Sequence, residues 1–115
     1  METTAFIEWD PRDLNTLADH AANVALDLGH DWTLRNEGAL AGVHPSTVNF
    51  RLCVDGALRG DGSASGGFAV LAYGNGHDGT VLSRGGCLFG TLSSAFVAEM
   101  LSLEWAMRHF LDDYV

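Results

Sequence analysis

Two acidic side chains, Asp55 and Glu99, stand where a fold could turn them into a site. Asp55 closes an alternating apolar run, Phe50-Arg-Leu-Cys-Val-Asp, and opens the glycine-rich stretch Gly56-Ala-Leu-Arg-Gly-Asp-Gly-Ser-Ala-Ser-Gly-Gly. Glu99 falls in the second turn of Ser94-Ala-Phe-Val-Ala-Glu-Met-Leu-Ser-Leu-Glu-Trp-Ala, which reads as a helix. A carboxylate at the end of a central strand, facing one near a helix start, gathers negative charge that a divalent cation relieves. The two are 44 positions apart, so only tertiary structure can join them. Each also has a plainer explanation. Asp-Gly after a strand is a turn signal, and a Glu early in a helix complements the helix dipole. Their joint occurrence, with a glycine-rich loop and a strand hairpin between them, favours a site.

Periodicity supplies the elements that must position them. Val48 to Val54 alternates, with Phe50, Leu52 and Val54 on one face and Arg51, Cys53 and Asp55 on the other. Gly67 to Tyr73 is nearly all apolar and reads as a central or covered strand. Gly74-Asn-Gly-His-Asp-Gly is a hairpin turn, and Thr80 to Leu88 returns antiparallel. Thr91, Ser93 or Ser94 caps a helix to about Leu111, with Phe96, Met100, Leu103, Met107 and Phe110 as its core stripe. Ala95, Ser102 and Ala106 share the Glu99 face, small enough for close approach to the sheet.

Upstream, Phe6-Ile-Glu-Trp reads as a short strand. Asp10 as N-cap, Pro11 and Asp13 begin a helix that Gly29 ends, with Leu14, Leu17, Ala18, Ala21, Val24, Ala25 and Leu28 as one apolar stripe. Asn15, Asp19, Asn23 and Asp27 recur every four residues on another face. From residue 30 to 47 periodicity fades between Gly38, Gly42 and Pro45, which predicts a linker or loop with room for one helical turn, long enough to hint at a domain boundary. The expected organisation is therefore a strand and helix over 1–29, a linker over 30–47 and a second unit over 48–115.

The chain has 115 residues, enough for one domain with a core, and is 47% hydrophobic and 18% charged. No apolar run approaches a membrane span and the first residues lack a basic leader, so no membrane partner and an intracellular setting, nucleus or cytoplasm, are expected. Cys53 and Cys87 in strand interiors read as free thiols, which fits that setting. Six arginines, no lysine and fifteen Asp plus Glu give a net charge of −9. That excludes tight electrostatic binding of nucleic acid but not a metal-dependent nuclease, whose carboxylates belong to the site. The five histidines show no metal spacing and the cysteines form no Cys-x-x-Cys pair, so zinc is not expected. Trp32 is the one tryptophan outside a predicted element, and the one candidate for base stacking.

Asp55-Gly56, the glycine-rich turn, the strand hairpin and then Ala98-Glu-Met-Leu-Ser-Leu-Glu-Trp-Ala resemble the first half of a type 1 ribonuclease H domain of the retroelement reverse-transcriptase kind, over Phe50 to Phe110. The resemblance implies an α/β, ribonuclease H-like fold, with three antiparallel strands and a packing helix, here preceded by a short strand and an amphipathic helix. It implies that Asp55 and Glu99 are the first two metal-binding carboxylates, and that Gly56, Arg59, Gly60 and Gly62 face the hybrid substrate. Pro11 to Asn23 resembles the family's final helix, with Asn15 and Asp19 at the spacing of its Asn and last carboxylate; Asn15 would then touch substrate and Asp19 metal. The order is inverted relative to the family, and its third carboxylate, an Asp on the strand after the Glu99 helix, has no counterpart. Glu104 matches nothing catalytic and suits an i,i+4 pair with Arg108.

Two arrangements fit. Either the chain joins the tail of one ribonuclease H unit to the head of another, or its first helix docks on the following sheet as a circular permutant. In the second, the resemblance implies hydrolysis with two Mg²⁺ (or Mn²⁺) ions about 4 Å apart, Asp55 bridging and Glu99 and Asp19 holding one each. The RNA strand of an RNA–DNA hybrid would be chosen through its 2′-hydroxyls. An adjoining reverse transcriptase or second ribonuclease H domain is the implied partner, and turnover by this chain alone should be feeble. The rival expectations are a catalytically dead remnant serving as a binding or structural module, and a small acidic interaction domain.

Overall fold

The computed structural model describes residues 4–8 (backbone only), 15–44 and 47–114. In chain order the elements are β1 (Thr4–Glu8), α1 (Asn15–Leu28), β2 (Trp32–Arg35), α2 (Glu37–Ala41), β3 (Asn49–Leu58), β4 (Ser63–Gly74), β5 (His77–Thr91) and α3 (Ala95–Tyr114). The strands form one sheet in the order β1-β3-β4-β5-β2. β2, β5, β4 and β3 run antiparallel to their neighbours, and β1 adds to β3 in parallel. The chain is thus a mixed α/β fold. The most apolar run lies at the centre: β4 is buried from Ala64 to Ala72. No helix among the described residues is long and apolar enough to cross a membrane.

Alternation along β3 sends its side chains to opposite faces, and each face takes a helix. Phe50, Leu52 and Val54 join Phe68, Val70, Leu82 and Phe110 under α3. Aromatic edges lock this layer, with Phe50–Phe110 at 5.8 Å and Phe68–Trp105 at 5.2 Å between ring centres. On the other face Cys53, Ala69 and Leu71 meet Ala18 of α1. Asp55 has the parity of Cys53 and so belongs to the α1 face.

Four expectations need correction. The 30–47 segment is not a plain linker. β2 pairs with β5 from Trp32↔Gly86 to Arg35↔Ser83, and Asn36 caps α2 by accepting from the Ala39 N–H at 3.1 Å. Four residues are too few for periodicity to announce a strand; its hydrogen-bonding partner lies fifty residues on. Trp32 lies in β2, its Nε1 donating to the Ala21 carbonyl at 3.0 Å and the Arg84 guanidinium standing 6.0 Å from its ring centre. Asp55 does not end its strand: β3 continues to Leu58, with Asp55 opposite Gly67, so part of the glycine-rich stretch is sheet.

Of the expected α3 stripe Phe110 is buried and Leu103 and Met107 pack against the core, but Phe96 and Met100 are 68% and 50% exposed, and the other buried positions are Ala98, Ser102 and Ala106. Hydrophobicity pointed to one face; the need for close approach chose another. Similarly, α1 buries Ala18, Ala21, Ala22 and Ala25, and leaves Leu28 exposed. The expected helix start at Asp10, Pro11 and Asp13, with Trp9 and Leu14, lies outside the described residues. Cys53 is buried and Cys87 half-buried, and the two form no disulfide.

Candidate active site

Two glycines let both helices reach the middle of β3. A Cβ on Gly56 would lie 2.8 Å from the Glu99 nitrogen and 2.9 Å from the Ala98 carbonyl carbon, so only a hydrogen there admits the first turns of α3. A Cβ on Gly67, the cross-strand partner of Asp55, would overlap the Ala18 carbonyl oxygen and lie 2.6 Å from the Ala22 nitrogen. The backbone of α1 therefore presses on the sheet beside Asp55, and Asp19 follows Ala18. Ser94 starts α3, accepting from the Val97 N–H at 3.4 Å and, through its carbonyl, from the Ala98 N–H at 3.2 Å.

The result brings Asp19, Asp55 and Glu99 together. Asp55 is half-buried, and its carboxyl pKa is raised from 3.8 to about 6. Burial is the largest cause and the Asp19 charge the next; the Gly56 N–H bond opposes them, and the Glu99 charge and a hydrogen bond with Asp19 add to the rise. Asp19 thus stands within hydrogen-bonding reach of Asp55, and Glu99 acts on it through charge alone. Among the described residues no three His, Cys, Asp or Glu side chains are arranged as ligands of one ion. The two observations are compatible: like charges that repel one another can be neighbours without converging on a common point.

The remaining candidates divide. Asn15, one helical turn before Asp19, has its Oδ1 buried with no hydrogen-bond partner. Such an orphaned acceptor is unusual in a folded protein and calls for a reason. Gly56 is occupied by helix packing, as above. Gly60 is open, with nothing within 4 Å of where a Cβ would stand, and Gly62 adopts φ +90°, which the tight 59–63 turn requires.

Arg59, a candidate for facing substrate, is steadied by the first helix. Its guanidinium lies on α1, 2.7 Å from Asp27 Oδ1 and 3.4 Å from Asn23 Oδ1. The polar face of α1 therefore runs beside the end of β3, with Asp19 at Asp55 and Asp27 at Arg59. Eight helical residues span about 12 Å and four strand residues about 13 Å, so the two rows keep step. Sequence spacing showed the polar face of α1 but not that Asn23 and Asp27 would hold Arg59. The larger cavities lie elsewhere: about 420 Å³ at the β2–β5 edge, and about 400 Å³ beside Arg59, Ser63 and Thr91. Glu104 pairs with Arg108 at 2.6 Å, as its spacing predicts.

Comparison with protein-family models, with curated proteins and with solved structures finds no match to the chain.

Proposed function

We propose that this chain is a ribonuclease H-like domain that hydrolyses the RNA strand of RNA–DNA hybrids with Mg²⁺ or Mn²⁺. The observation that carries the reading is the pairing of Asp19 with Asp55, with Glu99 within electrostatic range. The three come from a helix, a strand and a second helix, and the Asp55 carboxyl is raised to about pKa 6. A perturbed acid with two acidic neighbours is a marker of a functional site. It is also the trio that the resemblance singles out.

The donors fit the cation in kind and number. Oxygen ligands suit hard ions, and Mg²⁺ is commonly held by one or two carboxylates with substrate phosphates, not by a closed protein cage. Asp19 and Asp55 supply that pair, Glu99 adds charge, and the unpartnered Asn15 Oδ1 is a further acceptor one turn from Asp19. When bound, the ion supplies Lewis-acid stabilisation of the phosphoryl group and a more acidic water. The chain's own groups do the rest. Asp55 is mostly ionised at neutral pH yet basic enough to take up a proton. Arg59, held by Asn23 and Asp27, offers charge to a phosphate further along the strand, and open Gly60 lets a sugar–phosphate backbone approach. The partner in this reading is an RNA–DNA hybrid inside the cell, alone or presented by an adjoining reverse transcriptase or second ribonuclease H domain.

One observation favours the second reading, a remnant that binds without cutting: the described residues hold no ready three-ligand set. A single experiment separates the two. Mn²⁺ is titrated against tryptophan fluorescence of wild type and Asp55→Asn, and a hybrid labelled on each strand is then incubated with both proteins. Saturable binding lost in Asp55→Asn, with nicks in the RNA strand only, supports the nuclease. Metal binding without nicks supports the remnant, and no metal binding overturns both.

A further inference from the structure

Four of the six large apolar side chains exposed among the described residues belong to α3: Phe96 at 68%, Met100 at 50%, Leu111 at 49% and Val97 at 42%. They are not scattered. Phe96, Met100, Leu103, Met107 and Leu111 succeed one another at spacings of four, three, four and four residues. At 100° per residue they fall within about 80° of arc, along about 22 Å of helix. Leu103 and Met107 form the inner margin of this seam, packed against the core, and the other three form its outer margin. The small residues that seat α3 on the sheet lie on another side. An apolar row of this period and length is what one helix offers to a second.

Charge selects the occupant. Glu99 and Glu104 border the seam on its two sides, and the nearby cations are already taken, Arg108 by Glu104 at 2.6 Å and Arg35 by Asp113 at 3.7 Å. The whole chain stands at −9. A second copy would set two acidic helices side by side, whereas a basic one complements both the seam and its flanks. We propose that α3 docks a cationic amphipathic helix of another polypeptide along Phe96, Met100 and Leu111. The seam borrows Glu99 from the carboxylate cluster as one flanking charge, but Phe96, Met100 and Leu111 take no part in that cluster, and the apolar row exists whether or not the chain cleaves nucleic acid.

The test uses two synthetic twenty-residue helices with one leucine seam, flanked by Lys and Arg in the first and by Glu in the second. Each is titrated calorimetrically into wild type and into the triple variant Phe96→Gln, Met100→Gln, Leu111→Gln. Wild type binds the cationic peptide one to one, and the triple variant and the Glu-flanked peptide each weaken binding at least tenfold. Should the triple variant lose helical circular dichroism, Phe96→Gln alone, at the most exposed position, carries the same comparison. The proposal is overturned if the variant binds the cationic peptide as wild type does, since charge alone then suffices. Equal binding of the two peptides overturns it as well. So does sedimentation showing a wild-type dimer that the substitutions dissolve, because a second copy is then the occupant.

Discussion

The two faces of the sheet are built from different material. Under α3 the small residues Ala98, Ser102 and Ala106 are flanked by large aromatic contacts among Phe50, Phe68, Trp105, Phe110 and Tyr114. Under α1 they are alanine on glycine, with Ala18, Ala21, Ala22 and Ala25 fully buried and Gly67 pressed against the helix backbone. Large side chains remove more apolar area from water, so the α3 face carries more of the stability. Small ones give up area in exchange for approach, and approach is what lets Asp19 meet Asp55. The face that contributes less to holding the fold is the one that assembles the candidate site.

Substitutions should separate these two jobs. The largest effect is expected at Asp55. Asp55→Asn should lower hybrid cleavage at least 100-fold, measured as RNA-strand nicking with Mn²⁺, because one essential charge is removed. Phe50→Ala on the α3 face should destabilise by about 3–5 kcal/mol, the usual range for an aromatic lost from a close-packed core, read from urea midpoints. Gly67→Ala on the α1 face should destabilise by about 1–3 kcal/mol through overpacking. It should also return the Asp55 titration, followed by carboxyl NMR, toward its ordinary value, which Phe50→Ala should not do in the folded fraction.

The pH dependence sharpens the contrast. The folded chain holds the Asp55 proton more tightly than the unfolded one. Its contribution is therefore complete below pH 3.8 and lost as pH rises through about 6. The shift corresponds to about 3 kcal/mol before solvent screening and roughly 1–2 kcal/mol for a half-buried group. Asp55→Asn should remove that slope and raise the melting temperature at pH 7.5 by about 5–10 °C, the reverse of its effect on cleavage. The smallest change is expected where charges face water. Asp27→Asn at the exposed Arg59 pair should alter stability by less than about 1 kcal/mol in thermal unfolding.

The strands under α3 were legible because alternation along Phe50, Leu52 and Val54 is a local signal. The same signal failed for α3 itself. Phe96 and Met100 have the hydrophobicity of core residues, but Ala98 and Ser102 have the size the Gly56 and Gly66 backbone demands. β2 was missed because four residues carry too little pattern, and its identity rests on hydrogen bonds to β5. The glycine-rich stretch around Arg59 pointed to the substrate side; the anchoring of Arg59 by Asp27, 32 positions away, follows only once α1 lies along β3.

Residue order alone determined that an acid would stand in an alternating run, that another would enter a helix on a small-residue face, and that a polar row would line the first helix. Those are properties of neighbours in the chain, set by periods of two and of 3.6. Which acids became neighbours in space was decided by the sheet, where Gly56 and Gly67 sit on opposite faces of adjacent strands and each seats a helix backbone. Like charges have no tendency to meet of their own accord. Burial of apolar surface around them supplies the free energy that holds Asp19 against Asp55, and that sum exists only in the folded whole.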